Sequence, residues 1–532
     1  MLKGYNLIGQ AESAEGDQVL QVFSTVAQET LPENFIVATA EEIDEAVNKA
    51  TIAFETYKNV SPLRRAVFLE TIAEEIMAVG DLLIQRAMLE SGLPEGRLTG
   101  ERGRTTGQLK LFAELLREGS WVEAVIDTAL PDRKPLPRAD LRKMLVPIGP
   151  VAVFGASNFP FAFSTAGGDT ASALAAGNPV IVKAHEAHLG TNELMASAVR
   201  AAIEKCGMPD GTFSFVIGSG AVTGRQLVKH PGIKAIGFTG SFTAGMSIFK
   251  TASNERETPI PVYAEMSSIN PVLLLPQKLQ NDHEAVAIML AGSVTLGAGQ
   301  FCTNPGVLFL MDDEASAALI NKLAELLANV PAAPMLNPAV CNNYYKSRQS
   351  LASDEAVTTI YYGEDNASAY KGSPALLQVS DAAFISNPAL QHEVFGPASL
   401  VVVCKTRASM LQALQSLQGQ LTGSVIGENK DIENFADCIA ALSSKVGRVV
   451  YNNIPTGVEV CHAMVHGGPF PATTDARSTS VGTEAIKRFV RPVCLQDCPH
   501  DFLPEALKND NPLGIMRKLN GQYTNEMIEF ES

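Results

Sequence analysis

Residues 149–186 read GPVAVFGASNFPFAFSTAGGDTASALAAGNPVIVKAHE. Two short apolar runs, Val151 to Phe154 and Val180 to Lys183, flank a Gly/Ala/Ser-rich segment, and the pattern reads as strand, helix, strand. The alternation continues through Phe213 to Ile217, a helix near Val222 to Lys229, Ala235 to Phe238, a helix starting at Ser241, and Pro261 to Glu265. Strands separated by helices need crossover connections, which predicts an α/β fold with a mostly parallel, doubly wound sheet. Ligands of such sheets sit beyond the carboxyl ends of the strands. Chemistry is therefore expected at Gly155 to Phe159, Lys183 to Glu186, Thr239 to Gly245 and Glu265.

On the amino-terminal side the texture is helical. Ile43, Val47, Ala50 and Phe54 recur at helical spacing, and Ser61-Pro62 is an N-cap followed by a first-turn proline ahead of the stripe Phe68, Ile72, Ile76. Leu109, Phe112 and Leu116 mark a further helix of the same kind. On the other side a second α/β stretch opens at Pro271 to Pro276, with a helix over Asp282 to Leu296 and a strand at Val307 to Leu310. From about Lys487 the chain turns polar and proline-punctuated and reads as an arm that packs elsewhere.

The whole chain has 532 residues, 41 basic against 57 acidic, and a formal charge of −16. That field repels phosphate backbones, and no long Lys/Arg run offsets it, so nucleic acid is not an expected partner. Met1 to Gly16 fits neither a signal nor a transit peptide, and no apolar run is long enough for a membrane span; a cytoplasmic protein is expected. The 8 cysteines are then expected as thiols.

Cys302 stands in Gly297-Ala298-Gly299-Gln300-Phe301-Cys302-Thr303-Asn304, a glycine-rich turn between a helix and a strand. An isolated cysteine is usually a small buried hydrophobe. Here flanking glycines bring backbone N–H groups close to a bound molecule, and a lowered pKa would make the thiol a nucleophile. Glu265 ends a strand; such an acid is ordinarily solvated, but in a closed cleft desolvation would raise its pKa toward neutrality and make it a general base.

These residues lie within six ordered blocks: GASNFPF at 155–161, PVIVKAHE at 179–186, GFTGSFTAG at 237–245, AEMSSINPV at 264–272, GQFCTNPG at 299–306 and HEVFGPAS at 392–399. Together they resemble the aldehyde dehydrogenase superfamily over nearly the whole chain. The resemblance implies a Rossmann-like cofactor domain at 1–128 and 150–265, a catalytic α/β domain at 266–480, and a small β oligomerisation and bridging arm at 129–149 and 481–532. It implies a homodimer or homotetramer. It assigns Cys302 as nucleophile, Glu265 as the base that activates water, and Asn158 with the Cys302 backbone N–H as an oxyanion hole. The cofactor, NAD or NADP, maps to Lys183 and Glu186 near the adenine ribose, Gly240, Ser241 and Gly245 at the pyrophosphate, and Glu393 and Phe395 at the nicotinamide ribose. Glu186 favours a free 2′-hydroxyl on electrostatic grounds, whereas KAHEAHLGT resembles a branch where NADP is common, so both cofactors stand.

Within the family the likeness is to the 2,5-dioxovalerate (α-ketoglutaric semialdehyde) dehydrogenase branch, with a broad aliphatic or fatty aldehyde enzyme, a CoA-acylating relative and a catalytically silent cofactor-binding homologue as alternatives. Phe159, Phe163 and Phe301 could line an apolar substrate tunnel, and Arg477 could clamp a carboxylate. Ser267-Ser268 replaces the family's usual glycine pair, implying reduced backbone freedom. His466 stands where the family commonly has phenylalanine, which hints at a polar or anionic substrate tail unless the ring is simply satisfied at the surface. Cys461-His462 with His466, His185 with His188, and Cys494 with Cys498 and His500 have ligand-like spacings, but resident ions at the first two would obstruct the implied sites, and no metal is expected.

Overall fold

A computed structural model describes residues 2–528. The first large sheet has the strand order Val262–Glu265, Ala235–Thr239, Val151–Phe154, Val180–Lys183, Phe213–Val216, Asn6–Ile8, Ala11–Ser13. Its first five strands are parallel, and those at 151–154, 180–183 and 213–216 are buried throughout, as a sheet covered on both faces requires. All five were expected from the sequence, with ends displaced by one residue at most. From Val151–Phe154 the chain first steps outward to 180–183 and 213–216, then returns to the opposite side at 235–239 and 262–265. That reversal opens a crevice at the carboxyl ends of the central strands.

The last two strands of this sheet carry no sequence signal. Asn6–Ile8 runs antiparallel to Phe213–Val216, and the Asn6 side-chain oxygen accepts the Ile217 N–H at 2.8 Å. The Glu193 carboxylate accepts the N–H groups of Lys3 and Gly4 at 2.7 and 2.9 Å, anchoring the start of the segment.

Four helices, Ala40–Tyr57, Pro62–Val79, Asp81–Ser91 and Glu95–Glu118, pack beside this sheet. The first is closed by a capping box between Thr39 and Glu42, the second by the Ser61 hydroxyl accepting the Arg64 N–H. Phe68, Ile72 and Ile76 are buried, and so are Leu109, Phe112 and Leu116. Burial of each such side chain stabilises the fold by about 1.5–3 kcal/mol. The fourth helix starts at Glu95, far ahead of its apolar stripe.

The second large sheet has the order Thr358–Tyr362, Ala375–Ser380, Ala398–Cys404, Val307–Met311, Val272–Leu274, Gln420–Ile426, Val446–Tyr451, parallel except at the Thr358–Tyr362 edge. The expected helix before the cysteine turn begins earlier, at Pro276, and is kinked at Asp282. Segment 470–474 joins the two sheets: Phe470 O accepts the Gly419 N–H beside the strand Gln420–Ile426, while Met266 N–H donates to Ala472 O, Thr474 N–H to Ala264 O, and Glu265 pairs with Thr473.

A third sheet has the order Val490–Gln496, Leu141–Pro147, Val125–Asp127, Arg517–Leu519, Gln522–Thr524. It takes in Val125–Asp127, ahead of the expected arm boundary at 129, while Thr483–Phe489 buries Ala485, Ile486 and Phe489 in the first core rather than in the arm. Residues 1 and 529–532 of the expected segments lie outside the described residues. Among the described residues no helix is long and apolar enough to cross a membrane.

Candidate active site

After the helix Pro276–Thr295, Gly297, Ala298 and Gly299 adopt φ values of 54°, 56° and 65°, three left-handed residues in succession. A Cβ on Gly299 would lie 2.4 Å from the Gly396 backbone, so this turn admits only glycine there. Ala298 holds a conformation that costs an L-residue about 1–2 kcal/mol. The turn delivers Cys302 to the cleft, where the Asn270 amide fixes the loop by donating to Cys302 O and Asn304 O, both at 2.8 Å.

Glu265 reaches the same point from the end of its strand. His466 Nε2 lies 2.9 Å from Glu265 Oε1 and 3.5 Å from Cys302 Sγ, and the Ser480 hydroxyl donates to Glu265 Oε2 at 2.5 Å. Burial pushes the Cys302 thiol well above its ordinary value, and the adjacent Glu265 carboxylate adds to the rise. The expected upward shift of Glu265 does not occur. Burial does push its carboxyl up, but the His466 imidazole, the Ser480 hydroxyl and the Cys302 thiol outweigh burial and hold it below the usual carboxylate value. Glu265 is therefore an ionised proton acceptor at neutral pH, beside a protonated thiol.

His466 is 1% exposed and belongs to this cluster, not to the surface. Its backbone N–H donates to Thr479 Oγ1 at 2.8 Å and its carbonyl accepts the Ser480 N–H at 2.8 Å, which sets the ring between acid and thiol. Asn158 is buried nearby, and one of its two amide hydrogens goes to Gln300 O at 3.2 Å. The other remains available to an oxygen above the thiol.

Phe159 packs edge-on against Phe163 and Phe301, with ring centroids 5.4 and 5.6 Å away, and Phe163 reaches the His466 ring at 6.2 Å. The aromatic wall expected from the sequence forms, but it is not purely apolar. The Arg97 guanidinium lies 4.8 Å from the Phe159 ring and 4.9 Å from Phe301, and that of Arg104 lies 5.5 and 5.2 Å from Phe159 and Phe163. Arg97 also donates to Asn158 O at 2.6 Å. Neither arginine was read from the sequence. Arg477, which was, points away: its side chain is 90% exposed and pairs with Asp475 at 3.0 Å.

A cleft of roughly 700 Å³ runs from Cys302 and Glu265 to Lys183 and Glu186. Lys183 is buried and pairs with Glu186 at 3.3 Å, and Glu186 also accepts the Gly220 N–H at 3.1 Å. Gly240 and Ser241 line the cleft at the start of the helix Phe242–Asn254, with the Ser241 hydroxyl accepting the Ala244 N–H. A helix N-terminus beside a buried lysine suits a pyrophosphate. Thr239 lines the cleft, with its own hydroxyl buried and without a hydrogen-bond partner. Gly245 does not line the cleft; a Cβ there would meet Met266 at 2.7 Å, so it is a packing glycine. Glu393 and Phe395 line the cleft near Cys302. Ser267 and Ser268 need no glycine-like backbone, since neither has a positive φ. Ser268 N–H donates to Glu393 Oε1 at 3.4 Å, and the Ser268 hydroxyl accepts the Leu421 N–H at 3.0 Å.

Among the described residues, the only grouping of three metal-ligand side chains is Glu265, Cys302 and His466, within 4.8 Å of one another. His462 instead faces the Thr483 hydroxyl, His185 Nδ1 accepts the Ala187 N–H, and His500 Nε2 accepts the Asn509 N–H.

The family model described as "Aldehyde dehydrogenase family" matches residues 12–489. The chain is 50% identical over 522 residues to α-ketoglutaric semialdehyde dehydrogenase 2 of Azospirillum brasilense, covering 98% of this chain and 99% of the relative. It is 47% identical over 491 residues to the α-ketoglutaric semialdehyde dehydrogenase of Acinetobacter baylyi, covering 92% and 93%. In fold it is similar to NADP-dependent glyceraldehyde-3-phosphate dehydrogenase of Bacillus halodurans complexed with NADP, with a TM-score of 0.78, 20% identity and coverage of 94% and 100%. Likewise, it matches 1-pyrroline-5-carboxylate dehydrogenase from Thermus with bound NAD, with a TM-score of 0.77, 20% identity and 92% coverage of each chain.

The Glu265 charge that raises the Cys302 thiol can be removed without changing side-chain size. Glu265→Gln is expected to speed iodoacetamide alkylation of Cys302 at pH 8 several-fold, because losing the adjacent charge raises the thiolate fraction. Mass spectrometry of the Cys302 peptide measures the rate, and an unchanged rate rejects the electrostatic account.

Proposed function

This chain belongs to the aldehyde dehydrogenase family and oxidises an aldehyde with NAD or NADP as acceptor; we propose that its substrate is α-ketoglutaric semialdehyde and its product 2-oxoglutarate. The 50% identity to the Azospirillum brasilense enzyme over almost the full length carries the substrate reading. The meeting of Cys302, Glu265 and His466 at the inner end of the cleft supports the chemical one.

In this reading Cys302 Sγ attacks the aldehyde carbon as its proton passes to the adjacent ionised Glu265. The Asn158 amide and the Cys302 backbone N–H stabilise the oxygen that becomes negative, giving a thiohemiacetal. A nicotinamide cofactor held in the cleft would supply the acceptor for the hydride that leaves this carbon. Glu265 releases the first proton to solvent and then deprotonates a water that attacks the resulting thioester; the acid departs as the sulfur takes that second proton back from Glu265. His466 keeps Glu265 oriented and offers its Nε2 proton to both acid and sulfur. Water is the acceptor because Glu265 is present to activate it, in preference to CoA. Lys183, Glu186, Gly240 and Ser241 would hold the adenosine and pyrophosphate, and Glu393 and Phe395 the nicotinamide ribose. Gly245 shapes that site only through packing.

Residues 1–128 and 150–265 serve cofactor binding, 266–480 catalysis, and 129–149 with 481–532 assembly, except that the arm sheet reaches back to Val125 and Thr483–Phe489 packs into the first core. We place the subunit contact at the edge strand Val490–Gln496, which pairs with Leu141–Pro147 on one side only and is largely exposed.

A panel of α-ketoglutaric semialdehyde, succinic semialdehyde, glycolaldehyde and hexanal, each with NAD and NADP, tests the substrate. The first should show the highest kcat/KM, whereas equal values across all four would favour a broad aliphatic enzyme. Cys302→Ala should abolish oxidation while cofactor binding persists, and full activity in that variant would sink the mechanism. Burial pushes Glu393 up to about 7, against the pull of Ser267 and the Ser268 N–H. Below that pH it is protonated, above it ionised and a better acceptor for ribose hydroxyls. KM for the cofactor should therefore fall as pH rises from 6 to 8, and Glu393→Gln should flatten the profile; an equally steep profile in the variant would exclude Glu393. Light scattering should give a mass of two or four times the 56.6 kDa chain, and a monomer would reject the edge-strand contact.

A further inference from the structure

The helix Glu95–Glu118 faces the aromatic wall beyond Cys302 with two guanidiniums, and they differ in one respect. Arg97 is engaged: it donates to Asn158 O at 2.6 Å and lies 3.9 Å from Glu101. Arg104 is not. Its Nε and Nη2 are both buried and have no hydrogen-bond partner. Glu101, Glu265 and Glu459 act on it through their charge alone, and none of them reaches it with an ion pair. Glu101 is committed elsewhere, accepting the N–H groups of Phe161 and Ala162 at 2.8 and 3.0 Å.

A buried guanidinium edge without acceptors is unfavourable unless a ligand supplies them. Nε–H and Nη2–H point along one side of the guanidinium plane, the fork that a carboxylate fits with two parallel hydrogen bonds. The position also matches. Arg104 stands 5.2 Å from the Phe163 ring, Phe163 stands 6.2 Å from His466, and His466 touches Cys302 Sγ. The rings of Phe159 and Phe163, in edge contact with each other, lie against this guanidinium and set it on the aromatic wall beside the nucleophile.

Resting on the semialdehyde reading above, we propose that Arg104 is the residue that selects for an anionic substrate tail, binding the carboxylate remote from the aldehyde through its free Nε and Nη2. It takes the role that the sequence suggested for Arg477. Neutral aldehydes of the same length would leave the fork unpaired and be disfavoured for that reason.

The test compares kcat/KM for α-ketoglutaric semialdehyde and for pentanal, in the full-length wild type, Arg104→Gln and Arg104→Lys, with melting temperature and cofactor binding as folding controls. The wild type should prefer the anionic aldehyde. In Arg104→Gln the anionic-to-neutral ratio should fall about 30-fold or more, through KM more than kcat, as expected for loss of one partner of a buried charge pair. Arg104→Lys keeps the charge without the fork and should fall in between. Wild-type preference for pentanal would overturn the substrate reading itself. A wild-type preference that survives intact in Arg104→Gln, or equal losses on both aldehydes, would overturn the role of Arg104 alone. Should Arg104→Gln fail to fold, Arg104→Lys decides, because an unchanged ratio there excludes bidentate recognition.

Discussion

The centre of this protein is a buried charge problem: a carboxylate, an imidazole and a thiol share a space in which their ligand atoms lie within 4.8 Å. A carboxylate buried alone would neutralise itself by taking up a proton. Glu265 stays ionised because His466 and Ser480 each give it a hydrogen bond and Cys302 lies alongside. The remaining architecture serves that arrangement. Thr479 and the Ser480 backbone orient the imidazole, Asn270 pins the cysteine loop, and Gly299 lets that loop press against the Gly396 backbone. Removing one partner would leave another buried polar group unsatisfied, so these residues form a single cooperative unit.

The acid and the thiol come from different sheets. Glu265 ends a strand of the first, while Cys302 precedes a strand of the second. Their separation is set by how the two sheets meet. Segment 470–474 fixes that junction by hydrogen-bonding to Gly419 and along the edge strand that carries Glu265, and His466 and Ser480 lie on either side of it in the chain. The segment that joins the sheets is thus flanked in the chain by the two residues that partner the acid.

Much of the fold and part of the site were legible in the sequence. The buried strands announced themselves as short apolar runs between glycines, Glu265 and Asn158 sit where the doubly wound sheet presents its ligand-facing ends, and Cys302 stood out as a cysteine in a glycine-rich turn. What escaped has physical causes. Asn6–Ile8 and Ala11–Ser13 are three residues each, too short to show a period. The first half of the helix Glu95–Glu118 contains Gly96, Gly100, Gly103 and Gly107, which suppress a helical reading, and its arginines look like a solvated face. Only the fold reveals that Arg97 and Arg104 turn inward. Arg477 and Gly245 failed for the opposite reason: a suitable side chain near a motif need not face the cleft, as the exposed Arg477 and the packing contact of Gly245 with Met266 demonstrate.

The amino-terminal hairpin gives the folding of this chain an order. The Asn6 side-chain oxygen accepts the N–H of Ile217, 211 residues later, and the edge strand cannot pair until that residue has been made. At ordinary rates of synthesis the wait is on the order of 10–40 s. Closing so long a loop is entropically costly and slow. Residues 6–8 therefore stay unpaired until Phe213–Val216 has been made, and throughout that interval they are open to pairing with another nascent chain.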